Sequence, residues 1–197
     1  MTLKRIRLLL WLLVALAGVC MAVLFIRQSS DQAPVDQALG IGGPFSLIDS
    51  EGRPFSSAKL AGKPFAIFFG FTHCPDVCPA TLARLARLRG QLGKGIDGFA
   101  IVFVTVDPER DGPQEVGRYT ALFNTPVIGL TGSPAQIDQV KKQFGVFSAK
   151  VEQPGADYSV DHTAATFLFG RDGKFVATIS TDEGDAAALA KLKRISG

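Results

Sequence analysis

The 197-residue chain is 47% apolar and 20% charged, enough for one domain of about 150 residues with a proper core plus an extension. Its formal charge of +3 implies no nucleic-acid surface, because Lys4, Arg5, Arg7 and Arg27 are the only charged residues among the first thirty, and 21 less those four leaves 17 basic side chains against 18 acidic ones. The mean hydropathy of +0.22 is high for a globular chain and has its source at the N-terminus.

Leu8 to Ile26 carries no charge and is long enough to cross a bilayer at about 1.5 Å per residue. Three basic residues precede it and one follows, so the positive-inside rule puts the N-terminus in the cytoplasm and the rest of the chain outside, where disulfides are permitted. A cleaved signal peptide shares the basic start and apolar stretch. Against cleavage, Val19 stands where a lipoprotein-type site before Cys20 needs a small residue, and the apolar run continues through Phe25 and Ile26. Residues 1–27 are therefore expected to be an uncleaved anchor in the cytoplasmic membrane, with Cys20 an embedded apolar residue. Residues 28–40 are polar with little to bury and form a linker, and residues 41–197 form the domain.

Within the domain, Phe45 to Asp49, the turn residues Glu51 and Gly52, and Arg53 to Phe55 make a hairpin pattern, followed by one helical turn at Ser57 to Ala61. Phe65 to Phe71 is an unbroken apolar run, the mark of a buried strand. It leads into Thr72, His73, Cys74, Pro75, Asp76, Val77, Cys78 and Pro79. Leu82, Leu85, Leu88 and Leu92 then give a helix its buried stripe, with Arg84, Arg87 and Arg89 expected to face water. Gly98 to Val106 predicts a second covered strand, Asp107 to Pro113 a loop, and 114–123 a helix. Val127 to Leu130 is a short strand, and 134–144 a helix begun by a Ser133 cap and a first-turn proline. Val146 to Val151 is a further strand. Ala165 to Phe169 and Phe175 to Ser180 flank Arg171, Asp172 and Gly173 as a hairpin, and 185–194 closes as a helix. This order predicts an α/β domain of thioredoxin-like fold, with an N-terminal hairpin and a helix-strand insertion.

Pro79 fixes where the first of these helices begins, since proline is tolerated in the first turn and disruptive further in. Pro79 is then at or near the first helical position, Cys78 beside the cap and Cys74 in the preceding turn. Both sulfurs lie near the positive end of a helix dipole, which favours thiolate. Three intervening residues allow the pair to close as a disulfide or to hold one metal ion between two soft donors, a set suited to copper(I). A plain structural staple is a third use of the same residues.

FFGFTHCPDVCP at 68–79, VTVDPERD at 104–111 and VDHTAATFLFGRDGKF at 160–175 together resemble the Sco (SenC) family, thioredoxin-fold copper proteins that assist assembly of cytochrome c oxidase. The resemblance covers the chain from about Gly40 onward, with the single N-terminal anchor. It implies a copper ion held by Cys74, Cys78 and His162, with Cys74 and Cys78 also forming a redox-active disulfide. It implies as partners the copper-bearing subunit of cytochrome c oxidase and a thiol reductant or another copper chaperone. His162 is expected in a loop beside the cysteines, with Asp161 a candidate to orient it. Asp76 reads as a turn or cap residue, and the mixed charges of Asp107 to Asp111 as a recognition or loop-fixing block. A membrane-tethered thiol–disulfide oxidoreductase is the rival reading. Against it stand the three-residue spacing and the presence of Ala165 and Thr166 where a thioredoxin pattern places its cis-proline.

Overall fold

The computed structural model describes residue 7 and residues 40–93, 95–153 and 157–197. The expected span at Leu8 to Ile26, with nearly all of the linker, lies outside the described residues. Among the described residues no helix is long and apolar enough to cross a membrane.

Strands β1 (Ser46–Asp49), β2 (Pro54–Ser56), β3 (Phe65–Gly70), β4 (Ala100–Thr105), β5 (Val127–Thr131), β8 (Thr166–Phe169) and β9 (Phe175–Ile179) form one sheet in the order β2-β1-β5-β4-β3-β8-β9. All six residues of β3 are buried, as an unbroken apolar run requires of a strand covered on both faces. β3 and β4 run parallel in register from Phe65 opposite Ala100 to Gly70 opposite Thr105, and β4 and β5 are also parallel. β8 returns antiparallel on the other side of β3 and pairs with β9. The N-terminal hairpin β1-β2 adds to β5, antiparallel.

Helices α1 (Val77–Gln91), α2 (Pro113–Thr120), α3 (Pro134–Phe144) and α4 (Asp185–Ser196) complete the layers. Ser133 closes a capping box with Gln136 at the start of α3. In α1, Leu82, Leu85 and Leu88 are buried as expected, and Arg89 is buried with them, contrary to the expectation that it faces water. The physical reason is positional: Arg89 is seven residues after Leu82 and four after Leu85, so it falls on the stripe itself.

β6 (Ser148–Val151) and β7 (Ser159–His162) pair antiparallel as a separate two-stranded ribbon, with Ser148 opposite His162. His162 thus ends a strand and does not occupy the expected loop. The arrangement leaves the cysteine loop at the carboxyl end of parallel β3, where open α/β sheets collect their ligands.

Candidate metal centre

β3 delivers the chain to the site and α1 carries it away. Asp76 occupies the cap position of α1, although its side chain makes no capping bond, Val77 opens the helix, and Pro79 is third. Pro79 is thus within the first turn, where its missing N–H breaks nothing. Cys78, the second helical residue, is fully buried, and Cys74 in the preceding turn is half-buried. The backbone N–H of Cys78 donates to Cys74 Sγ at 3.4 Å. Both thiols are free.

His162 comes to the same place from the ribbon. Its Nε2 lies 3.4 Å from Cys78 Sγ, and one donor atom from each of Cys74, Cys78 and His162 falls within 4.8 Å of the others. His162 Nδ1 lies 3.1 Å from the carbonyl oxygen of Thr163. A carbonyl only accepts, so Nδ1 carries the proton and Nε2 presents its lone pair to the sulfurs. This backbone carbonyl does the orienting work considered for Asp161, whose side chain is exposed and has no hydrogen bond to the imidazole. Phe68 and Phe71 stand edge-on to the ring, with centroids 6.0 and 5.8 Å away, and block its rotation.

Burial pushes the Cys78 thiol up and the His162 imidazole below its usual value, burial being the largest cause in each case. Burial therefore opposes, at Cys78, the thiolate that the helix start favours. It thus favours the neutral form of both groups. A cation placed between them reverses the balance, since its charge is what a buried thiolate lacks.

Gly70, the last residue of β3, lies within the FFGFTHCPDVCP stretch but was not among the residues expected at the site. A side-chain carbon there would stand 2.9 Å from Cys78 Sγ, 2.9 Å from Phe68 Cε1 and 3.1 Å from Phe103 Cε2. The signal available in the sequence was a lone glycine inside an apolar strand, which marks a close approach.

The block at 104–111 serves as two braces. Asp111, fully buried, accepts from the Thr72 backbone N–H at 2.8 Å, from Thr72 Oγ1 at 2.6 Å and from Thr105 Oγ1 at 2.6 Å, tying the foot of the cysteine loop to β4. His73 turns its Nδ1 to Thr72 Oγ1 at 3.1 Å, on this side and away from the metal donors. Asp107, also buried, accepts from Arg110 Nε at 2.5 Å and from Tyr158 Oη at 2.9 Å. Arg110 continues to Asp157 and to the Tyr158 carbonyl, with its guanidinium carbon 3.7 Å from the Tyr158 ring centre. Lys150 on β6 adds an ion pair to Glu109 at 2.6 Å. These contacts hold the ribbon that bears His162, which is the loop-fixing role considered for this block.

Residues 33–197 match the SCO1/SenC family. Protein SCO1 homolog 1, mitochondrial, of Arabidopsis thaliana is 41% identical over 147 residues, covering 74% of this chain, and the chain spans only 44% of that relative's length. Among solved structures, Bradyrhizobium japonicum ScoI with copper bound is 42% identical with a TM-score of 0.71, covering 79% of this chain and 99% of that one. BsSco, a member of the Sco family of cytochrome c oxidase assembly proteins in which a disulfide switch has been identified, is 28% identical with a TM-score of 0.59, covering 80% of this chain and 95% of that one.

Proposed function

We propose, since this chain belongs to the SCO1/SenC family, that it binds one copper ion through Cys74, Cys78 and His162 and serves the assembly of cytochrome c oxidase. Anchored by residues 1–27 with its domain outside the cytoplasmic membrane, it delivers copper to the dinuclear copper centre of an oxidase subunit, or reduces that subunit's cysteines. The observation that carries this reading is the meeting of two sulfurs and one imidazole nitrogen within 4.8 Å. An ion with three bonds of about 2.2 Å needs its donors about 3.8 Å apart, so the present spacing suits it with little rearrangement. Two thiolates and a neutral imidazole are the soft set that selects copper(I).

Loading proceeds on a half-built site. The Thr163 carbonyl has already fixed the imidazole tautomer, so His162 needs neither a proton transfer nor a ring flip to bind through Nε2. Both thiol protons leave as the sulfurs take the ion, so affinity rises with pH. Joining the two sulfurs as a disulfide removes both donors, so the oxidised protein needs a thiol reductant before it takes copper.

Anaerobic copper(I) titration of the full-length protein tests this. The reduced form is expected to take one equivalent and the oxidised form none, with two sulfur neighbours and one nitrogen by X-ray absorption. Sulfur-only coordination that is unchanged in His162→Ala would refute the assignment of His162.

A second reading, thiol–disulfide exchange with the oxidase subunit, is favoured by one observation: the half-buried Cys74 is accessible to a partner sulfur while Cys78 waits behind it. The two readings part at His162, which exchange does not use. Copper-centre assembly in cells carrying His162→Ala, at limiting copper and equal protein abundance, is expected to fail if delivery is the task. Normal assembly would leave exchange standing.

A further inference from the structure

At the opposite end of the parallel strands, where β3, β4 and β5 begin, a cavity of about 500 Å³ opens among Lys59, Lys63, Arg89, Asp97, Phe99 and Arg171, with Pro126 and Ile128 adding to its apolar wall. Arg89 is 3% exposed. Its Nη1 donates to the Phe99 carbonyl at 3.4 Å, and its Nη2 donates to the Pro126 carbonyl at 2.9 Å and to Thr125 Oγ1. All three acceptors are neutral. Among the described residues no carboxylate pairs with Arg89, whereas the more exposed Arg53, Arg84, Arg87, Arg110 and Arg118 each hold one.

That distribution is the reverse of what burial demands, because a cation removed from water needs a counter-charge far more than one at the surface does. Burial accordingly pulls the Arg89 guanidinium below its usual value. The neighbouring cations are also uncommitted. Among the described residues, Lys59 reaches only the Pro54 carbonyl at 3.4 Å and the Phe55 ring, Arg171 reaches only the Gly62 carbonyl at 3.5 Å, and Lys63 pairs with no carboxylate. Asp97 is the one acid among the described lining residues, and among the described residues it forms no ion pair. A strap joining α1 to the strand starts would need the donors of Arg89 but not its charge.

We propose that this cavity is a binding site for a phosphate ester, with the Arg89 guanidinium at its floor and Lys59, Lys63 and Arg171 around its mouth. With its Nη2 donors committed to Thr125 and Pro126, Arg89 contributes charge at the floor, while the guanidinium of Arg171 offers paired donors to a phosphate and the ammonium groups add charge without geometric demand. Phe99, Pro126 and Ile128 give the organic part of the ester an apolar surface, and the volume is of the size small-molecule sites use. A soluble phosphate ester and the headgroup of an anionic phospholipid share this chemistry.

The test uses the full-length chain in phosphatidylcholine vesicles at fixed ionic strength, so that general screening is constant. Hydrogen–deuterium exchange is followed in residues 99–101 and 126–128 while glycerol 3-phosphate is added. In a second arm the vesicles are equal parts phosphatidylcholine and phosphatidylglycerol. Saturable protection by glycerol 3-phosphate, weakened about tenfold in Lys63→Gln/Arg171→Gln, supports a soluble ester. Protection only in the anionic vesicles, and weakened by the same pair, supports the lipid headgroup. Those two substitutions are at exposed positions and leave the core intact. Arg89→Gln keeps a neutral donor at the floor, and unfolding of that variant without ligand shows whether its fold survives. Protection in neither arm, or protection that the exposed pair of substitutions leaves unchanged, overturns the proposal.

Discussion

Gly70→Ala places one carbon where three fully buried groups already meet. Its distances to Cys78 Sγ, Phe68 Cε1 and Phe103 Cε2 would be 2.9, 2.9 and 3.1 Å, against about 3.5–4.0 Å for an unstrained contact. Between about 0.4 and 1 Å must therefore be found on three sides at once. Overpacking of this kind costs about 1–3 kcal/mol, a factor of about five to 150 in the folding constant. The two phenylalanines are wedged between strands and helices, so Cys78 is the group expected to yield, carrying its sulfur away from His162 Nε2. Urea unfolding of the reduced protein, followed by circular dichroism, should show a lower midpoint at unchanged slope, and copper(I) affinity should fall in parallel. In a Cys78→Ala background the cost should shrink by about 1 kcal/mol, because the sulfur that met the new carbon is gone. A loss below about 0.5 kcal/mol with unchanged copper affinity would refute the idea that Gly70 sets the position of Cys78.

Tyr158→Phe removes the hydroxyl that donates to buried Asp107 and should cost about 1–2 kcal/mol. Copper(I) affinity is expected to fall while both thiols remain titratable, and unchanged affinity would show that the brace does not position His162. Iodoacetamide should modify half-buried Cys74 before Cys78, which is buried and whose thiol is pushed up, and peptide mapping that finds Cys78 labelled first would contradict this. His162 is held below its usual 6.5 by burial, so the unfolded chain binds a proton that the folded protein refuses. Its contribution to stability is complete above about pH 6.5 and is lost as the pH falls through the folded value. Metal-free wild type should therefore lose stability relative to His162→Asn between pH 7 and 5, and parallel curves would exclude the effect.

What could be read from the sequence was whatever rests on local pattern. The run from Phe65, the two prolines and the leucine stripe placed β3, the cysteine loop and α1 within a residue or two, because each is determined by its own neighbours. The strand bearing His162 was not legible: Ser159–His162 has one buried residue in four, and its partner Ser148–Val151 has none, so neither shows an apolar alternation. Arg89 was misplaced because its chemistry argued against its position on the helix, and position prevailed. Burial acts in the same hidden way on Cys78, where it opposes ionisation. The helix dipole can be read from the chain, but the depth of burial that counters it is a tertiary property. The braces at Asp107 and Asp111 reach Tyr158 and Thr72, 51 and 39 residues away, distances over which no periodicity speaks.

The two sulfurs are four positions apart in the chain, whereas the imidazole lies 84 positions beyond Cys78. The entropy of closing a loop grows with its length, and the difference between these two closures is about 2–3 kcal/mol in favour of the sulfurs. Synthesis runs the same way, with Cys78 complete long before the ribbon exists. Wherever thiols are oxidised during synthesis, a growing chain would thus meet its chance to cross-link before it can offer three donors to an ion. Under the proposed function, a copy that cross-links in this way is expected to need reduction before it takes its first ion.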